Sequence, residues 1–238
     1  MKLYEFFTQP KVALQEGGNA FSDVVPFDHK HIPAITQTLN SVLDQTGAQA
    51  LAIGSGASPT PGKISGDLDI VVDQDALAEF FDLPAAKDIR KALRALYDQA
   101  GYQTAQSGIS VHVRVPVQGA AHQADIMVVP NAATVATYHT HDIPKGSHYK
   151  GVHKQIAMSK LASAQGLMWS AFQGLFNRDE KGKKADLRSN NLDEIAKLIL
   201  NPNATAKDFG SLETILAALP EDRQEQLLQD LAKDPQLQ

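Results

Sequence analysis

Ile53–Val72, IGSGASPTPGKISGDLDIVV, is the stretch on which the fold is read. It begins inside a short apolar run bounded by glycine, Gln49 to Gly54 (QALAIG), a pattern that predicts a buried strand. A Gly/Ser/Pro loop, SGASPTPGKISG, separates it from a second predicted strand, DLDIVVD. Side chains alternate along a strand, so Asp67 and Asp69 share one face, with Cα atoms about 7 Å apart.

Working outward, the apolar residues Ile35, Leu39, Val42 and Leu43 recur at helical spacing and predict a helix over Pro33 to Thr46, with Gly47 as its stop. Before it, the first thirty residues read as irregular, interrupted by Pro10, Gly17-Gly18-Asn19 and Pro26. After the DLDIVVD strand, helices are predicted over Asp75 to Phe81, with Asp75 as cap, and over Pro84 to Ala100, with Pro84 at its start and Gly101 at its end. Strands are predicted at Tyr102 to Gln106, Ser110 to Val117 and Gln123 to Val129. The order α-β-β-α-α-β-β-β implies an α/β (α+β) fold, a mixed sheet with flanking helices.

Asn131 to Ser147 reads as a loop, Tyr149 to Gln165 as a helix and Met168 to Phe176 as a strand, followed by the polar, basic stretch NRDEKGKKADLRSNN. Three helices are predicted over Leu192 to Leu200, Leu212 to Leu219 and Asp222 to Lys233, punctuated by Pro202, Gly210 and Pro220. Two domains follow from this reading: residues 1–145 as a catalytic domain and 146–238 as a mainly helical C-terminal region.

Composition excludes several classes. With 43% apolar and 21% charged residues the chain has the balance of an ordinary globular protein. It has no apolar run of eighteen residues and no signal-peptide pattern, so no membrane partner and a cytoplasmic location are expected. Cysteine is absent; disulfides, thiolate nucleophiles and Cys-based zinc are therefore excluded, and any metal must be held by oxygen or imidazole. The net charge of -5 is uneven: between Ile143 and Asn191 nine Lys or Arg stand against three Asp or Glu, a local balance of +6. Such a segment suits either a phosphate-rich ligand or a plain solvated surface.

The chemistry concentrates around Asp67 and Asp69. Two carboxylates so close repel, and one stays protonated unless a divalent cation compensates. Magnesium suits the pair, because it accepts carboxylate oxygens and keeps positions for water and substrate phosphates. Gly54 and Ser55 offer backbone amides and a hydroxyl as a phosphate cradle. A third acid is expected from a neighbouring strand, and Asp125, a lone acid opening the apolar run ADIMVV, is the candidate. The set predicts two-metal in-line displacement.

In these residues, GS followed after ten residues by GDLDI and later by ADIMVV, the chain resembles the DNA polymerase beta nucleotidyltransferase superfamily over roughly Leu51 to Val129. The resemblance implies a nucleotidyltransferase fold, triphosphate binding by Gly54 and Ser55, and two Mg2+ or Mn2+ ions held by Asp67, Asp69 and Asp125. The implied reaction moves a nucleoside monophosphate from a nucleoside triphosphate, such as ATP, to a hydroxyl, and an RNA or tRNA acceptor suits the basic segment. Through GSGASPTPGKISGDLDI, YKGVHKQIAMSKLA and NPNATAKDF the chain is also similar to phage-encoded nucleotidyltransferase-like proteins.

Members of the superfamily often place a Ser and a Lys from a following helix on the triphosphate. Ser147, Lys150 and Lys154 fit that role, the two lysines at i and i+4, and Lys63 could close over the phosphates from the loop; the alternative for all three lysines is solvent exposure. His139, His141 and Asp142, with His148 and His153, suggest a competing metal-hydrolase site or ordinary loop histidines. Trp169 and Tyr149 are candidates for stacking on a base or for the core. A catalytically inactive nucleotide- or partner-binding module is the other reading of the whole chain.

Overall fold

The computed structural model describes residues 20–140, 144 and 146–237, which fall into two compact units meeting at residues 140/141. The first unit is built on a five-stranded sheet of β2 (Leu51–Ala52), β4 (Asp67–Asp73), β5 (Gln103–Ser107), β6 (Ser110–Val117) and β7 (Ala120–Val129), in the order β2-β4-β7-β6-β5. Only β4 and β7 run parallel; every other pairing is antiparallel. A second, two-stranded sheet joins β1 (Phe27–Asp28) to β3 (Ile64–Ser65). The expected mixed α/β sheet is therefore what forms.

The alternation that predicts strands also sorts the faces. Leu68, Ile70 and Val72 of β4, Ala124, Ile126 and Val128 of β7, and Val111, Val113, Val115 and Val117 of β6 are all buried in one core. Against it pack α1 (Ile32–Leu43) and α3 (Ala86–Gln99), through Ile35, Leu39, Ile89 and Leu93. Tyr97 of α3 is buried and donates its hydroxyl to the Leu39 carbonyl of α1 at 2.9 Å, which ties the two helices together. The residues at the intervening positions, Asp67, Asp69, Gln123, Asp125 and His112, lie on the opposite face.

Several expectations are corrected. The strand expected over Gln49 to Gly54 is only two residues long, and Gly54–Gly56 forms a 3-10 turn instead. The cap of α2 (Gln74–Phe81) is Asp73, whose carboxylate accepts from the Asp75 N–H at 3.0 Å; Asp75 sits in the first turn. The same Asp73 accepts from the Ala132 N–H at 3.3 Å. Part of the expected loop after Asn131 is a helix, α4 (Ala132–His139), started by the Asn131 side chain accepting from the Thr134 N–H at 2.8 Å. Its sequence, AATVATYH, carries no amphipathic stripe, so periodicity could not find it.

The second unit contains α5 (Gly151–Ser163), α6 (Leu192–Ile199), α7 (Leu212–Ala218) and α8 (Glu221–Ala232), so the expected C-terminal helices are present. It also holds a three-stranded antiparallel sheet, β8 (Leu167–Ser170), β9 (Gly174–Arg178) and β10 (Lys184–Ser189), in the order β10-β9-β8. The single strand expected over Met168 to Phe176 is thus a hairpin, and part of the basic stretch is a strand. Gly174 makes this possible: its φ is +103°, and a Cβ there would lie 2.4 Å from the Ser189 carbonyl oxygen. No helix among the described residues is long and apolar enough to cross a membrane.

Candidate active site

The parallel pairing of β4 with β7 decides the site. Asp69 is directly opposite Asp125 in that ladder, and Asp67 is opposite Gln123. Neighbouring strands lie about 4.8 Å apart, so these two residues are direct neighbours across the ladder on one face of the sheet. Asp125 is mid-strand rather than at the strand start, because β7 begins at Ala120.

Asp69 feels this crowding. Burial, then the charges of Asp67 and Asp125, raise its carboxyl to about 7. Asp125 is held by two neighbours on one oxygen: His112 Nδ1 at 2.8 Å and the Gln123 side-chain amide at 2.9 Å both reach Oδ1. His112, buried on β6 opposite Asp125, in turn has Nε2 at 2.7 Å from Ser107 Oγ. A carboxylate can only accept, so His112 Nδ1 carries a hydrogen and donates it to Asp125. Sequence reading missed His112, Gln123 and Ser107. A signal existed, since the two-residue turn Gln118-Gly119, both at positive φ, fixes the β6–β7 register that sets His112 against Asp125.

The glycine turn lies at the same place. The Ile53 N–H donates to the Asp69 carbonyl at 3.0 Å. Gly54 adopts φ +57°, and a Cβ there would stand 3.8 Å from Asp69 Oδ2. Ser55 is exposed at the turn, with its Oγ 2.9 Å from Ser65 Oγ. Lys63 is exposed in the same loop, and its carbonyl accepts from the His29 N–H at 2.9 Å. Asp67, Asp69, Asp125, Gly54 and Ser55 are therefore gathered within the first unit.

Ser147, Lys150 and Lys154 belong to the second unit. The Ser147 hydroxyl donates to Glu213 and accepts from the Tyr149 N–H at 2.9 Å, which commits it within that unit. Lys150 is the extended residue before α5 and is exposed, whereas Lys154 is buried, so the expected pairing of the two on one helix face does not form. Burial lowers the Lys154 ammonium to about 8. Of the competing imidazole cluster, His139 is a buried helix residue whose Nδ1–H donates to the Val135 carbonyl at 2.9 Å, and His141 and Asp142 lie outside the described residues. Trp169 and Tyr149 are half-buried, Tyr149 edge-on to His153.

Among the described residues no three His, Asp or Glu side chains already converge as a metal centre. The donor set nevertheless fits a hard divalent cation. It offers oxygen ligands on adjacent strands, with a half-buried carboxyl whose proton affinity is raised by burial and by the two neighbouring acids.

No family model and no curated protein matches the chain. Among solved structures it is similar to Leishmania infantum polymerase beta in a ternary P/T complex, at 16% identity and a TM-score of 0.47, covering 77% of this chain and 76% of that one. It is likewise similar to the same polymerase in a ternary gap complex, at 15% identity and a TM-score of 0.48, covering 77% of this chain and 70% of that one. Identities this low leave function to be argued from the side chains, and neither structure bears on the likeness to phage-encoded proteins.

Proposed function

We propose that the protein is a metal-dependent nucleotidyltransferase, moving a nucleoside monophosphate from a nucleoside triphosphate to a hydroxyl acceptor and releasing pyrophosphate. The observation that carries this reading is the in-register pair Asp69–Asp125, with Asp67 two residues before Asp69, beside the Gly54 turn. Asp67, Asp69 and Asp125 would hold two Mg2+ or Mn2+ ions. When bound, such ions supply positive charge that activates the acceptor oxygen and stabilises the leaving pyrophosphate. Gly54 and Ser55 receive the triphosphate, with Lys63 close by on the same loop.

In the reaction a bond forms between the acceptor oxygen and the α-phosphorus while the bond to the pyrophosphate oxygen breaks. The acceptor hydroxyl gives up its proton to the Asp125 carboxylate, which returns it to water. Because both hydrogen bonds to Asp125 fall on Oδ1, His112 and Gln123 orient the carboxylate and leave Oδ2 toward this work. An RNA or tRNA acceptor is favoured by the basic 143–191 segment, whose Lys181, Lys183, Lys184 and Arg188 are exposed; binding should then weaken steeply with salt.

The test is incubation with each labelled ribonucleoside triphosphate, Mg2+ or Mn2+, and total RNA, beside Asp67→Ala and Asp125→Ala. Label transfer that disappears in both variants supports the proposal, and turnover retained by Asp125→Ala sinks it. Metal-dependent nucleotide binding without transfer would point to the inactive binding module. A second reading is favoured by the continuous Ser107–His112–Asp125 chain, which has the connectivity of a nucleophile, its base and the base's orienting acid. Covalent labelling of Ser107 by a fluorophosphonate probe would favour a hydrolase over a transferase.

A further inference from the structure

Beneath the phosphate turn runs a hydrogen-bonded chain of which the reaction described above uses only the last member, Ser55. His29 is buried, with 1% of its surface exposed. Its Nδ1 takes the Thr60 N–H at 3.1 Å, its Nε2 lies 2.7 Å from Ser65 Oγ, and Ser65 Oγ lies 2.9 Å from Ser55 Oγ. The pairing of Phe27 with Ser65 and of Asp28 with Ile64 places His29 under the loop. The Asp28 carboxylate accepts from the Gly62 N–H at 3.3 Å and so secures the same loop.

Donor and acceptor rules give this chain a direction. A backbone N–H can only donate, so His29 Nδ1 must present its lone pair, and the ring is neutral with its hydrogen on Nε2. Burial, with Lys63 beside it, holds the imidazole below its ordinary value, in keeping with a neutral ring. Nε2 therefore donates to Ser65 Oγ. Two hydroxyl hydrogens remain on Ser65 and Ser55 for the single contact between them, so the pair has one donor left over. Ser55 is the exposed end, and with Ser65 donating to it the spare O–H points out of the turn. A neighbour that is acceptor-only, such as a phosphate oxygen, matches it.

We propose that His29 and Ser65 are positioning residues that hold the Ser55 hydroxyl as a one-way donor to a polyphosphate at the Gly54-Ser55 turn. The proposal rests on the nucleotidyltransferase reading for the identity of that anion. Neither residue touches the nucleotide in this scheme; the imidazole acts through Ser65, and Ser65 through Ser55. A hydrogen bond to a charged group is stronger than a neutral one, and losing its orientation should weaken binding about tenfold.

The experiment is calorimetric titration of the full chain with α,β-methylene-ATP and, separately, inorganic tripolyphosphate, both with Mg2+. Expected is an about tenfold weaker Kd for Ser55→Ala, Ser65→Ala and His29→Leu, and no further loss in the His29→Leu/Ser65→Ala double variant, because the two are links of one chain. His29→Gln, whose side-chain amide can both accept from Thr60 and donate to Ser65, should bind within about threefold of the parent. Unfolding midpoints measured alongside show that each variant is folded, and Ser65→Ala, which removes one oxygen atom, decides the matter if His29→Leu does not fold. Parent-like binding by Ser65→Ala overturns the proposal, as does His29→Gln binding as weakly as His29→Leu. If the parent binds neither probe, or binds them equally well after Asp67→Asn, the nucleotidyltransferase reading falls and takes this proposal with it. Parent binding that needs Asp67 but is indifferent to His29 and Ser65 overturns only the proposal.

Discussion

Replacing Asp69 by asparagine should make the metal-free protein more stable above neutral pH, although it removes a carboxylate on which the proposed reaction depends. The ordinary carboxyl value is 3.8, and burial together with Asp67 and Asp125 raises Asp69 to about 7. Between these values the unfolded chain has lost the proton and the folded chain still holds it. Stability therefore falls as pH rises through this window, by about 1.4 kcal/mol per pH unit, and levels off above pH 7. Across the window the loss sums to about 4 kcal/mol at most, since the carboxylate retains some contact with solvent. Asparagine has no proton to lose, so the variant should lack this slope. Urea unfolding at pH 5 and pH 8, with EDTA, measures it in both proteins. Adding Mg2+ at pH 8 should recover stability in the parent and much less in the variant, because a ligand that binds only the folded state stabilises it by mass action. Equal pH slopes in the two proteins would falsify the assignment of Asp69 as the crowded member of the acidic site.

Three further outcomes follow from particular contacts. His112→Leu should keep the fold, since the position is on a packed strand, but lower transfer activity by about 10–100-fold, the usual cost of losing a group that orients a metal-binding carboxylate; steady-state rates at saturating nucleotide check it. Asp73→Ala removes the cap of α2 and the acceptor for the Ala132 N–H, and should cost about 1–2 kcal/mol in denaturant unfolding. Gly174→Ala puts a methyl 2.4 Å from the Ser189 carbonyl at φ +103°; a loss of about 3 kcal/mol or more is expected, visible as selective loss of amide protection over β8–β10.

How much of this was open to a reader of the sequence depended on whether the deciding signal was local. DLDIVVD and SVHVRVPV carry period-two patterns bounded by turns, and β4 and β6 span the residues expected of them. The helix expected from Pro33 has its stop at Gly47 as read, at φ +70°, though its last turn is 3-10. In contrast α4 has no stripe to read, and β10, KADLRS, looks like a charged loop because four of its six residues are exposed. The acid pair Asp67 and Asp69 was legible by parity alone. That Asp125 faces Asp69 required a parallel register between strands more than fifty residues apart, which no local pattern encodes. His112 was reachable by counting back from the Gln118-Gly119 turn. His29 was not, because its link to Ser65 depends on a two-residue sheet, β1 with β3, too short to leave a pattern.

The register that builds the site is protected by the other face of the same sheet. Sliding β4 by one residue along β7 would turn Leu68, Ile70 and Val72 toward the acidic face and bring Asp67 and Asp69 into the core. Burying each of those apolar side chains is worth about 1.5–3 kcal/mol, so the slip forfeits roughly 5–9 kcal/mol before any cost of burying carboxylates is counted. That exceeds the at most roughly 4 kcal/mol by which the burial of Asp69 and the charges of its two neighbours together oppose the observed register in the absence of metal. The repulsion among Asp67, Asp69 and Asp125 is therefore tolerated by a sheet whose apolar face would lose more by relieving it, and the acids stay gathered where the proposed cations would bind.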